Sequence, residues 1–196
     1  MKARTLLLPI LFVTACSSAP VAPTKALPKA GGAPADFFPL AVGNEWVWDD
    51  VSPQLSAPRQ AARTVRIVGR SADGFFQDSE RTELRADGDC VRDRLRRLLC
   101  GPLAVGTAWR SVVSVSSTER YEIVGVGERV EVPAGRYEGC VRVRAHNRAG
   151  GSTEHVMEMT YAPGVGPVRL ETWALVKGVA APQIRAVLRS FRGANP

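Results

Sequence analysis

From Glu45 to Phe191 the chain is a succession of short runs rich in valine, threonine and aromatic residues, nearly all closed by glycine, proline or an Asp-Gly pair. Runs that short, recurring every 8–12 residues or so, are the mark of an all-β sandwich or barrel. No stretch keeps apolar residues on a 3.6-residue period through three turns, which leaves no helix to build a core. Period-2 alternation puts Trp46 with Trp48 on one strand face, and Val65 with Ile67 opposite Thr64 and Arg66. Turn chemistry falls at Gly43-Asn44, Ala72-Asp73-Gly74 and Asp87-Gly88-Asp89. Between these the strand-like runs are 64–69, 75–85, 90–93, 95–100, 107–116, 121–126, 129–132, 136–145, 153–161, 167–177 and 184–191. Residues 92–99 consist of helix formers, but Gly101-Pro102 limits them to one turn. The expected fold is all-β, a single antiparallel meander of about ten strands over residues 37–192, closed as a sandwich, half-barrel or barrel, with a tail at 193–196.

The amino terminus decides where that domain resides. Lys2 and Arg4 precede the apolar run Leu6 to Val13, which ends in Val13-Thr14-Ala15-Cys16. Basic, apolar and small-residue zones in this order make a secretory signal. The run is well short of the roughly 20 residues a spanning helix needs. The ending resembles the lipobox of bacterial lipoproteins. The resemblance implies removal of residues 1–15, a diacylglycerol thioether on Cys16 and an acyl chain on its new amino terminus. An ordinary cleaved signal or a short membrane helix are the competing readings. In the Gram-negative sorting pattern that this ending resembles, an aspartate in place of Ser17 would favour retention at the inner membrane, so the resemblance implies the periplasmic face of the outer membrane.

Residues 16–36 carry the lipidated cysteine and then a proline- and alanine-rich linker almost without large apolar side chains. Such a segment cannot offset the entropy of ordering, so a disordered tether is expected. If extended as polyproline, its twenty residues after Cys16 reach roughly 60 Å. Loss of Lys2 and Arg4 with the leader lowers the net charge from +7 to about +5. Nearly all of that positive charge is arginine, because Lys2, Lys25, Lys29 and Lys177 are the only lysines. An exported, tethered chain meets lipid headgroups rather than nucleic acid, so no nucleic-acid partner is expected.

Four stretches form a set: 38–46 (FPLAVGNEW), 101–109 (GPLAVGTAW), 132–143 (VPAGRYEGCVRV) and 161–168 (YAPGVGPV). Together they resemble markers of poorly characterised all-β envelope lipoproteins, which implies an all-β fold and transfers no activity. The first two also resemble each other, each being Pro-Leu-Ala-Val-Gly with tryptophan three residues on. Both read as a turn that docks a leucine and a tryptophan at the head of a strand, more simply two equivalent corners than two ligand sites.

An exported chain can hold disulfides. A reverse turn centred near Leu95 would set Cys90 opposite Cys100, so a Cys90–Cys100 bridge is expected. Cys140 reads as a small buried thiol, turned inward by a bulge at Gly139 or lying on a partly covered face. A hairpin centred on Gly150-Gly151 would bring His146 and His155 opposite one another, with Glu154 or Cys140 as the only further ligands nearby. Exposed neighbours are the plainer reading, so no metal is expected. The chain lacks the zinc-protease, nucleophile-elbow, phosphate-loop and Ser-x-x-Lys motifs. Gly164-Val165-Gly166 reads as a tight turn, since no helix follows it.

The expectation for function is therefore a non-enzymatic outer-membrane lipoprotein, with no catalytic residues and no cofactor beyond the acyl groups on Cys16. It would touch the membrane through its anchor and an envelope protein through its β domain. The alternative is a carrier or chaperone for a lipid or acyl chain. An enclosed apolar cavity of several hundred cubic ångströms would favour the carrier, and a fully packed interior the assembly module.

Overall fold

The computed structural model describes residues 31–53, 62–150 and 153–194, without the side chains of residues 149 and 150. The leader, Cys16 and the linker to residue 30 lie outside the described residues, as do Gly151 and residues 195–196.

Twelve strands follow a short 3-10 helix at Pro34–Phe37. They are β1 (Glu45–Asp50), β2 (Arg63–Arg70), β3 (Phe76–Asp78), β4 (Glu83–Asp87), β5 (Cys90–Arg92), β6 (Arg97–Cys100), β7 (Ala108–Ser114), β8 (Ser117–Val132), β9 (Gly135–Gly150), β10 (Thr153–Ala162), β11 (Gly166–Val176) and β12 (Val179–Arg192). All pair antiparallel in one sheet of order β6-β5-β4-β3-β2-β1-β12-β11-β10-β9-β8-β7. The sheet curls into a nearly closed barrel. Its two edge strands meet without a ladder: the Arg97 N–H donates to Ser111 Oγ at 2.9 Å, and Trp109 Nε1 donates to the Arg97 carbonyl at 2.7 Å.

The strands number twelve against the expected ten or so, and local chemistry redraws several of their boundaries. The expected 75–85 run is two strands, because the Asp78 carboxylate accepts from the Glu80 and Thr82 N–H groups and folds a turn between them. The expected 121–126 and 129–132 runs are one strand, β8. Gly127, at φ +74°, sits in a bulge that the ladder to β9 passes through rather than in a turn. Residues 92–99 form a hairpin and no helical turn, the Asp93 carboxylate accepting from the Leu95 and Arg96 N–H groups. That hairpin pairs Cys90 with Cys100, and the two are disulfide-bonded.

The two Pro-Leu-Ala-Val-Gly stretches make the same corner twice. Gly43 N–H donates to the Ile67 carbonyl and Ile67 N–H to the Asn44 carbonyl, while Gly106 donates to Ile123 and Ile123 to Thr107, all four at 2.9 Å. The Asn44 and Thr107 side chains likewise donate to the carbonyls of Pro39 and Pro102. Both glycines hold left-handed backbone, at φ +98° and +89°.

Alternate connections fall at opposite ends of the barrel. One end is capped by the 3-10 helix, where Pro34 and Phe37 are buried and Gly164 N–H donates to the Asp36 carbonyl. Residues 34–36, assigned to the linker by sequence, thus belong to the domain. The β8–β9 turn also folds over this end, its Ala134 N–H donating to the Leu188 carbonyl at 3.0 Å. At the other end lie the β7–β8, β9–β10 and β11–β12 hairpins.

Gly43→Ala and Gly106→Ala should each lower the unfolding free energy by about 1–2 kcal/mol, the cost of forcing a Cβ into left-handed backbone. Space does not oppose either change, the added Cβ at Gly106 meeting nothing within 4 Å. Urea denaturation checks this, and a loss at one corner without the other would break their equivalence.

Candidate functional site

Strand alternation carries one set of side chains inward. Trp46 and Trp48 on β1, Val65 and Ile67 on β2, Val143 and Ala145 on β9, Met157, Met159 and Tyr161 on β10, Leu170 and Thr172 on β11, and Ile184 and Ala186 on β12 all line one cavity of about 650 Å³. Phe38, Trp46, Tyr161 and Pro167 form its floor at the capped end. Phe38 contacts Trp46 edge-on and tilts against Tyr161, with ring centroids 6.0 Å apart in both pairs. Trp46 Nε1 donates to the Val165 carbonyl at 2.7 Å, so the floor's one indole N–H is satisfied.

The arginines and carboxylates of this cavity are already partnered. Arg96, near the β6–β7 seam, pairs with Glu119 at 3.0 Å, and the Tyr121 hydroxyl donates to the same carboxylate. Burial first, then the adjacent Glu119, pushes the Tyr121 hydroxyl well above the usual phenol range, so it stays a neutral donor. Its ring stacks on Trp109 with centroids 5.5 Å apart. Arg63 is held by Glu80, whose hydrogen bond raises its pKa against burial. The site thus offers an apolar chamber with neutralised ion pairs in its wall. Arg96 and Tyr121 both bond the Glu119 carboxylate.

The outer face carries its own network of charge. Arg142 binds Glu128 at 2.9 Å and Glu158 at 3.1 Å, and Arg144 shares Glu158, which is 6% exposed. A second outer cluster stacks the Arg85, Arg92 and Arg94 guanidinium groups on Phe75, Arg94 at 3.8 Å from the ring centroid.

The sequence-predicted site residues scatter. Cys90 and Cys100 form a bridge, and Cys16 lies outside the described residues. Cys140 is fully buried and unpaired, with Gly139 in left-handed backbone before it. His146 and His155 do not oppose one another. A register shift between Thr153 and Glu154 pairs His155 with Asn147 and His146 with Val156, placing the imidazoles on opposite faces of the sheet. His146 instead lies 3.7 Å from Glu154. Sequence reasoning left open whether the fold encloses a cavity and named none of its lining. Its signal was the coincidence of Met157 and Met159 with the small Ala145 and Ala186 at inward positions, soft or short side chains where a packed barrel needs bulk.

No family model matches the chain, and no curated protein matches it. Two crystal structures are similar to it. One is a proposed lipoprotein of Parabacteroides distasonis, with 13% identity over 80% of this chain and 98% of that one and a TM-score of 0.44. The other is a proposed exported protein of Bacteroides fragilis with a YmcC-like fold, with 15% identity over 80% and 99% and a TM-score of 0.46.

Burial, with the Glu128 charge adding to it, pushes the Cys140 thiol up to about 12 from its ordinary 9.0. Iodoacetamide at pH 8.5 should therefore leave Cys140 unmodified in the native protein and label it fully once the chain is denatured, as read by peptide mass spectrometry. The unfolded thiol ionises from about pH 9, the folded one only near 12, so this group's contribution to stability is lost as pH rises between them. Native labelling at the rate of a free thiol would place Cys140 at the surface.

Proposed function

We propose that the protein is a non-enzymatic carrier of a lipid or acyl chain, held in the barrel interior while lipidated Cys16 tethers the domain to the periplasmic face of the outer membrane. The observation that supports this is the apolar cavity of about 650 Å³, well within the range of ligand sites. A packed interior would have favoured the assembly module instead. Energetics fit a carrier that releases its cargo. Burying about twelve methylenes gains roughly 10 kcal/mol, and association costs on the order of 4–15 kcal/mol. The surplus is small enough for exchange. A polar head at the open end would meet the Arg63–Glu80 and Arg96–Glu119 pairs, which are already neutral as units.

The test is titration of the purified full chain with a dodecanoyl monoglyceride by calorimetry, alongside lipid extraction and mass spectrometry of the protein as isolated. Ala145→Trp and Ala186→Trp place an indole in the cavity and should weaken binding at least about tenfold, which is 1.4 kcal/mol. Binding of equal strength to both variants, or no heat and no extracted lipid from the parent, would overturn the reading.

A further inference from the structure

The barrel's open end carries features that holding a chain inside does not require. The β7–β8 hairpin presents Val112 at 69% exposure and Val115 fully exposed, and the β11–β12 hairpin presents Val176, Val179 at 70%, and Ile184. The four valines stand in water near the tips of two hairpins at the same end of the sheet, whereas Ile184, further down β12, belongs to the cavity lining. The β11–β12 hairpin projects beyond β1, whose last ladder pair is Asp50 with Ala186. Exposed apolar tips beside polar strands mark an interaction surface.

Beside the tips two arginines face each other across the ladder. Arg110 on β7 lies directly opposite Arg120 on β8, and Arg120 directly opposite His146 on β9. Like charges facing each other across a ladder destabilise a sheet. Among the described residues neither arginine has an ion-pair or hydrogen-bond partner; both are exposed and share an outer groove with Arg148. Two carboxylates also line that groove. Glu154 is 3.7 Å from His146 and 3.8 Å from Arg148, and Glu122 lies two residues along β8 from Arg120. Lys177, exposed between Val176 and Val179, adds a cation at the second tip.

We propose that this end of the barrel docks on an anionic lipid bilayer, the valine tips entering the headgroup boundary while Arg110, Arg120 and Lys177 meet phosphate. Apolar side chains flanked by basic ones are the pattern of interfacial binding, and cations near an anionic leaflet are drawn to it. Both hairpins belong to the end opposite the capped floor, so docking sets the mouth of the cavity against the bilayer. The inference goes beyond the carrier reading and does not require an occupied cavity.

The test uses the full chain with Cys16→Ser and one introduced cysteine, Val115→Cys or Val179→Cys, carrying an environment-sensitive nitrobenzoxadiazole label. Val105→Cys, at the capped end, is the control. Cys90 and Cys100 are bridged and Cys140 is buried, so labelling is selective. On vesicles of phosphatidylglycerol and phosphatidylcholine, the labels at 115 and 179 should shift to the blue and brighten while the label at 105 does not. Arg110→Glu with Arg120→Glu should abolish the shift with the circular dichroism spectrum unchanged. An equal response at 105 and 115, no response at 115 and 179, or a full shift in the charge-reversed protein overturns the proposal. Each reading is taken without added monoglyceride, so failure here leaves the carrier test standing, and failure there leaves this one standing.

Discussion

A sheet of twelve strands curled until its edges meet encloses more volume than its own side chains fill, and the rest of the molecule follows from that excess. About eight strands give a barrel that side chains can pack solid. Here the surplus strands leave a chamber, and the chain answers it asymmetrically. One end is stopped by Phe37, Phe38, Trp46 and the β8–β9 turn, and at the other the described residues place hairpins around the rim. Circumference makes the cavity, and the single plug gives it a direction.

The circumference is reached by using one device twice. Each six-strand meander, β1–β6 and β7–β12, begins with the same corner, and the sheet order sets the first strand of each half beside the last strand of the other. The two junctions are unequal. Between β1 and β12 there is a true ladder of six paired residues. Between β6 and β7 there are two hydrogen bonds, and beside them Arg96, just before β6, pairs with Glu119 on β8. Of these two junctions the seam is the one held by fewer hydrogen bonds. The Arg96–Glu119–Tyr121 cluster that faces the cavity sits at this seam.

Sequence conveyed the fold class because it is written in local chemistry. Asp-Gly and Gly-Asn turns, period-2 alternation and the absence of any helical period each act within a few residues. The disulfide pairing followed the same way, from a turn near Leu95. Where one residue has two uses the reading failed. Gly127 looks like a turn and is a bulge, and a one-residue shift at Thr153 moved His155 off His146. The closure of the sheet was hidden because Arg97, Ser111 and Trp109, which make the seam, show no period that relates them. The cavity was hidden because an absence of volume is a property of many strands at once. Met157, Ala145 and Ala186 reveal it only when their faces are known to converge.

The outer face explains how a hollow barrel holds its shape. A buried carboxylate left without partners would cost several kcal/mol, yet Glu158 is buried on the outside between Arg142 and Arg144, and Arg142 is also held by Glu128. This grid ties β8, β9 and β10 across their ladders at the positions that alternate with Val143, Ala145, Met157 and Met159. Charge on even positions fixes strand register, and register decides which residues face inward. The inner residues are thereby relieved of having to pack tightly to specify the fold, since a slip of one position would bury the arginines and expose the methionines. A wall specified from outside can keep a loose apolar lining around its chamber.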